Sequence, residues 1–285
     1  YYSTDNFLNS LKIPKDLKIG VMVNAAEILS SKFNNPMKVI KLLFKNKKKS
    51  KVRLVRIACH LKEVKKILDP IKWLKSQGFT VGLNLMQIAD KSEKDIHEIS
   101  SLVSSSKADV FYFADSMGSL NEAKTLNIVN LIRKKFKGQL GIHAHDNMGR
   151  ALTNTLAAYD AHVTWLDSTV LGMGRGPGNT KTESLILEMS KKFNFKINYF
   201  LLLNLIETYF HKLYEKYRWG SNPFYYIAGM NNIHPSFIQD IINDKRYGTL
   251  EILGILDNLK GHEGKKFNKE ILEMISQSYS KKRIC

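Results

Sequence analysis

Through the first two thirds of the chain, short runs of β-branched and aromatic residues alternate with longer amphipathic, lysine-rich segments. Runs that read as strands followed by segments of helical period are the pattern of repeated βα units around a parallel sheet. Six strands are predicted: Lys18 to Asn24, Leu54 to Cys59, Thr80 to Met86, Val110 to Asp115, Leu140 to His145, and Trp165 to Val170. Each leads into polar or glycine-bearing residues and then into a helical pattern such as Glu63-Val64-Lys65-Lys66-Ile67-Leu68. Beyond Ser190 the strand pattern stops, and apolar residues recur at helical spacing from Tyr199 to Tyr217 and from Leu250 to Leu259. Between them Asn222 to Phe237, rich in aromatics, Asn and Pro, reads as an irregular covering segment. The expected organisation is an α/β domain over residues 1–190 and a mostly helical region over residues 191–285.

Polar residues gather at the C-terminal ends of the predicted strands: Asn24, His60, Gln87, Asp115 with Ser116, and His145 with Asp146. In a parallel barrel the loops leaving the strand C-termini build the active site, whereas an open doubly wound sheet places its site at one switch point. Side chains fit for chemistry at the ends of several strands therefore favour the barrel. A closed barrel needs eight strands, six are found, and the chain opens on Tyr1 rather than Met. The expected fold is a (β/α)8 TIM barrel lacking its first one or two βα units. Such a chain would expose strand edges at Lys18 to Asn24 and Trp165 to Val170, and is expected to be unstable and inactive by itself.

A hydrophobic content of 44% with 25% charged residues is ordinary for a globular protein. The formal charge of +18 would suit a polyanionic partner, but its densest run, Lys45 to Lys51, lies between two apolar segments without interleaved aromatics. That run reads as a solvated linker, and no nucleic-acid partner is expected. Cys59 and Cys285 are too few for a disulfide framework or a thiolate metal cage, which fits a reducing cytoplasm. The most apolar stretch, Tyr199 to Ile206, is far short of the ~20 residues that span a bilayer, and the opening residues lack a secretory signal pattern, so no membrane association is expected.

The segment with most chemical content is Gly141-Ile142-His143-Ala144-His145-Asp146-Asn147-Met148-Gly149, at the end of a predicted strand. Residues two apart in a strand share a face, so His143 and His145 can present both imidazoles to one ion. A bare His-x-His is more often a pair of ordinary strand histidines; the following Asp-Asn-x-Gly and the strand-end position reverse that and favour ligation. A second segment, Leu171 to Glu183, carries Gly172, Gly174, Gly176 and Gly178 followed by Asn179. It lacks the Gly-Lys-Ser/Thr ending of a phosphate-binding P-loop. It reads as a loop closing over a barrel mouth, with Asn179 offering an oxygen ligand.

These two segments, in this order and about 30 residues apart, resemble the HMG-CoA-lyase-like superfamily of metal-dependent barrel lyases and acyl transferases, and most of all its 4-hydroxy-2-oxovalerate aldolases. The resemblance runs from about Lys18 to Lys260. It includes Val55-Arg56-Ile57-Ala58-Cys59-His60 with Glu63, Phe113-Ala114-Asp115-Ser116-Met117-Gly118, and Tyr247-Gly248-Thr249-Leu250-Glu251-Ile252-Leu253. It implies a class II aldolase that cleaves or forms a 4-hydroxy-2-oxo acid, with His143, His145 and Asn179 on a divalent ion, Mn2+ or Mg2+. Asp115, Ser116, His60 and Arg175 would then contact substrate. His234 occupies about the place of a C-terminal tyrosine that lies near the general base, with Tyr226 as its substitute. The resemblance further implies a small 2-oxo acid substrate, an aldehyde dehydrogenase as a partner, and an oligomer.

Two departures stand out. The glycine-rich loop has Arg175-Gly176-Pro177 and no Cys, unlike HMG-CoA lyases, which use a loop cysteine in catalysis. The family's first strand carries an Arg-Asp pair, in which Asp completes the metal site and Arg stabilises the enolate; the 285 residues contain no Arg-Asp-Gly strand. Two alternatives stay open: an acyl-CoA condensing enzyme similar to isopropylmalate or homocitrate synthases, and a non-catalytic barrel remnant.

Overall fold

The computed structural model describes residues 4–30, 35–44, 50–244, 246–261 and 263–281. Residues 45–49 of the lysine run lie outside these, as does Cys285. Among the described residues six strands form one sheet in sequence order: β1 Ile19–Asn24, β2 Val52–Cys59, β3 Thr80–Leu85, β4 Val110–Asp115, β5 Gln139–Ala144 and β6 Trp165–Leu166. The pairs β1–β2, β2–β3 and β3–β4 are parallel. The helices preceding or linking these strands are α1 Thr4–Ser10, α2 Ala25–Leu29, α3 Pro36–Leu43, α4 Val64–Ser76, α5 Glu93–Ser106, α6 Glu122–Arg133 and α7 Ala151–Asp160. After β6 come α8 Thr182–Phe193, α9 Tyr199–Leu205, a π-helical turn at Ile206–Phe210 and α10 His211–Tyr217. The chain continues through α11 Pro223–Met230, α12 Pro235–Asn243, α13 Thr249–Asn258 and α14 Lys269–Lys281.

Two expectations need correction. The sixth strand is two residues long rather than six. Past Leu166 the backbone leaves the sheet, Thr169 bridges Lys181 instead, and a short 3-10 turn follows at Val170–Gly172. The segment Asn222 to Phe237 is helical rather than irregular. Asn222 caps α11 by accepting from the Phe224 and Tyr225 amides, and His234 caps α12. Pro223 and Pro235 sit at the first helical positions, where a missing N–H costs nothing and the fixed φ is already helical.

Contacts divide the chain into two compact units, the first comprising Tyr1–Ala114, Leu126–Ile142 and His162–Trp165. In it β4 is buried along its whole length, as expected for a central strand of a parallel sheet covered on both faces, whereas β1 stays partly exposed. Helix α4 buries Val64, Ile67, Ile71 and Leu74 at helical spacing. Inside this unit a polar layer crosses three strands. The Arg56 guanidinium lies 3.7 Å over the Tyr112 ring and donates to Asn84 Oδ1 at 2.7 Å. Gly141 makes room for that ring, since a Cβ there would stand 2.1 Å from Tyr112 Cδ1.

The second unit comprises Asp115–Thr125, His143–Ala161 and Leu166–Cys285. Its C-terminal helices enclose an apolar core that includes Tyr225, Ile233, Phe237, Ile241, Ile255 and Leu259. No helix among the described residues is long and apolar enough to cross a membrane.

Candidate metal centre

The end of β5 delivers two imidazoles side by side. Ile142 and Ala144 are buried while His143 and His145 are half-buried, and their ring centroids stand 4.9 Å apart at 86°. Each ring uses Nδ1 for a structural bond: His143 Nδ1 meets Asp167 Oδ2 at 2.9 Å, and His145 Nδ1 meets the Asp115 carbonyl at 2.9 Å. Carboxylate and carbonyl oxygens only accept, so a neutral ring in either place carries its proton on Nδ1 and its lone pair on Nε2. That tautomer is the one a metal needs, and orientation of ligating histidines by such acceptors is a recurrent feature of metal sites. Burial, then the neighbouring charges of His143, Arg175 and His234, lower the His145 pKa to about 3, opposed by the bond to Asp115. His145 is thereby neutral at ordinary pH.

The glycine-rich loop brings an oxygen to the same place. Asn179 bridges His145, the Asp146 amide donates to the Gly178 carbonyl at 3.0 Å, and the Thr180 amide to that of Ala144 at 3.3 Å. The Asn179 Nδ2 donates to the Met173 carbonyl at 3.2 Å, which fixes the amide and leaves Oδ1 buried without a hydrogen-bond partner. A buried acceptor with no donor is costly, and a cation removes that cost. Close approach requires glycine here. A Cβ on Gly174 would stand 2.3 Å from Asn179 Nδ2, and Gly178, at φ +79°, would put one 2.4 Å from the Gly172 carbonyl oxygen.

Two imidazoles and an amide oxygen are thus the candidate donors, with Asn179 bridged to His145 in the backbone. Among the described residues no cluster of three or more His, Cys, Asp or Glu can hold a metal, so no carboxylate joins them. The set fits a divalent ion with further positions left for substrate or water.

The remaining predicted residues fall in different settings. The Asp115 carboxylate is buried and accepts from the Ser119 and Leu120 amides, both at 3.0 Å, so it holds its own loop. Burial lifts its pKa to about 6 against those bonds. Ser116 follows it, half-buried. His60 and Glu63 belong to the first unit and form a capping pair, with the His60 amide donating to Glu63 Oε2 at 2.8 Å. His234 is half-buried, its Nδ1 accepts from the Ser236 amide, and its charge is felt at His145. Tyr226 points outward at 39% exposure. Its neighbour Tyr225 is buried beside Gly176, and burial raises its phenol to about 12 in spite of Arg175.

Sequence reasoning missed Asp167, Tyr225 and Trp219. Trp219 Nε1 donates to the Leu171 carbonyl at 2.9 Å, the Gly220 amide to that of Gly176, and Ser221 Oγ to that of Asn147. This short strap therefore anchors both the glycine-rich loop and the His-x-His exit. Cavities of about 460 Å³ and about 590 Å³ adjoin the loop. Asp146, Asn179 and Lys181 line the first, and Arg175 and Tyr225 the second.

Comparison with known proteins gives this geometry a setting. The 4-hydroxy-2-oxovalerate aldolase 2 of Nocardia farcinica is 32% identical over 134 residues, which are 47% of this chain and 39% of that protein. The match thus spans about two fifths of that relative's length. The N-terminal domain of a candidate aldolase from Bacteroides vulgatus superimposes with a TM-score of 0.75 and 29% identity, covering 86% of this chain and 79% of the other. Hydroxymethylglutaryl-CoA lyase from Pseudomonas aeruginosa, at 13% identity and a TM-score of 0.57 over 73% of this chain and 74% of its own, shares the fold. The HMGL-like family profile matches residues 46–207, more than half of the chain, and the chain belongs to that family.

Proposed function

We propose that this chain carries the metal-binding histidines of a class II aldolase that cleaves or forms a 4-hydroxy-2-oxo acid, with pyruvate or a similar 2-oxo acid as one partner. The observation that carries the reading is the pair His143 and His145, each held through Nδ1 with Nε2 left for ligation. His143, His145 and Asn179 would hold Mn2+ or Mg2+. When bound, the ion supplies Lewis-acid stabilisation of negative charge developing on the 2-oxo oxygen.

The chain's own residues do the rest. Asp167 and the Asp115 carbonyl orient the imidazoles. Ser116, next to Asp115 in sequence, offers its hydroxyl to the substrate carboxylate. Arg175 adds positive charge at the loop, and a cleft of one charge sign concentrates a small anion. His234 is the candidate proton carrier for the C4 hydroxyl, favoured over Tyr226, which is turned outward. Tyr225 remains protonated through the neutral range and serves as a hydrogen-bond donor.

The test is pyruvate release from 4-hydroxy-2-oxovalerate by the full protein charged with Mn2+, before and after chelation. Metal-dependent release that disappears in His143→Ala supports the reading. Release unaffected by prolonged chelation overturns it.

A further inference from the structure

The cavity of about 590 Å³ beside the glycine-rich loop is lined by three cations, Arg175, Lys216 and Arg218, and by no carboxylate. Three amide side chains, Asn222, Gln239 and Asn243, complete its polar wall. A few basic side chains elsewhere pair with acids, as Arg246 does with Asp244, Lys192 with Asp160 and Lys260 with Asp257. Among the described residues, none of the three cavity cations has an ion-pair partner. Arg218 Nε donates only to the Glu215 backbone carbonyl, and Lys216 lies 5.1 Å from the Tyr217 ring. Like charges gathered around a concavity repel one another, and an anion between them removes that repulsion. Guanidinium and amide N–H groups are also the donors that match carboxylate and phosphate oxygens.

The cavity adjoins the candidate metal centre: Met173 to Gly176 line it, and the Met173 carbonyl is the acceptor that fixes the Asn179 amide. Resting on the aldolase reading above, we infer that this cavity receives the far end of the aldehyde partner, and that this aldehyde bears a terminal phosphate or carboxylate. In the condensing direction a C3 proton leaves the 2-oxo acid and C3 bonds to the aldehyde carbon. The aldehyde oxygen then takes up a proton, so no oxidant or reductant is needed.

The experiment separates the cavity from the chemistry. Glycerol 3-phosphate, 3-hydroxypropanoate and glycerol are titrated calorimetrically into the full protein without added metal. One of the two anions should bind at least tenfold more tightly than glycerol, and which one binds better decides between phosphate and carboxylate. The Lys216→Gln/Arg218→Gln double variant should lose at least tenfold in that affinity. Asn243→Asp, which adds a repelling charge at almost constant volume, should weaken it in the same direction even if the double variant folds poorly. Equal binding of glycerol and both anions, or variants that bind as the parent does, overturns the inference. Coenzyme A binding more tightly than either anion, with the same loss in the variants, also overturns it by giving the cavity to a thioester's phosphates. Because these titrations need no turnover, failed binding leaves the aldolase reading standing, and failed metal-dependent cleavage with intact binding removes that reading alone. With metal and pyruvate, the anionic aldehyde glyceraldehyde 3-phosphate or its carboxylate counterpart should exceed glyceraldehyde at least tenfold in kcat/KM. Equal values overturn the assignment to the aldehyde.

Discussion

At the scale of single residues, the arrangement depends on who holds the histidines. Removing the acceptor of His143 by Asp167→Ala frees the ring to rotate and to place its proton on Nε2. Loss of such a supporting partner typically costs about 10–100-fold in metal affinity. That loss is the expected result for Mn2+ binding followed by electron paramagnetic resonance, and parent-like affinity would show that Asp167 does not orient the ligand. Gly174→Ala acts on the third donor, because its Cβ would displace the Asn179 amide. Tyr225 gives a pH-dependent expectation. Its folded pKa of about 12 lies above the ordinary 10.0 because of burial, so the folded state keeps its proton where the unfolded state has lost it. The associated stability is complete below pH 10 and disappears as pH rises towards about 12. Denaturant titrations should therefore show the parent losing stability relative to Tyr225→Phe across that window; parallel curves would contradict the assigned burial.

At the scale of elements, glycine positions in the strands set the packing. Gly141 on β5 faces the Tyr112 ring so closely that a methyl group there must displace an aromatic already stacked under Arg56. Overpacking of this kind costs about 1–3 kcal/mol. Gly141→Ala should lower the denaturation midpoint accordingly, and an unchanged midpoint would mean that the ring moves freely. The β-branched and aromatic runs made β1 to β5 readable to within two residues; for β3 and β4, buried almost throughout, an apolar run has few other ways to be satisfied. The sixth strand was overread because Thr169 and Val170 have strand propensity while the backbone there serves the loop. The helices α11 and α12 were missed because aromatic density masked two capping signatures, Asn222-Pro223 and His234-Pro235. The histidine pair was legible because period two places both rings together within one strand. Its support by Asp167 was not, since 24 residues separate the partners and only tertiary structure brings them within bonding distance. Neighbouring helical residues point about 100° apart, so a segment-level resemblance named Tyr226 and passed over Tyr225, the one buried beside Gly176.

At the scale of the whole molecule, the formal charge of +18 acts on two candidate ligands in opposite senses. A divalent cation approaching the donor set of His143, His145 and Asn179 meets no carboxylate in that set and an overall repulsive field. The carboxylates of Asp167, Asp115 and Asp146 are engaged with His143 and with backbone amides. An anion approaching Arg175, Lys216 and Arg218 is drawn in by the same field, and these side chains are exposed. Salt screens both effects, with a Debye length falling from about 10 Å at 0.1 M to about 3 Å at 1 M. Raising sodium chloride from ~0.05 M to ~0.5 M should therefore strengthen Mn2+ binding while weakening that of glycerol 3-phosphate. A site closed by carboxylates would show the reverse slope for the metal, since their attraction is itself screened. Measuring both ligands on one preparation makes the two slopes controls for each other: a general salt effect on the fold moves them together. Metal affinity that falls with salt would mean that a carboxylate completes the ligand set, and anion affinity insensitive to salt would mean that the three cations do not define the second cavity.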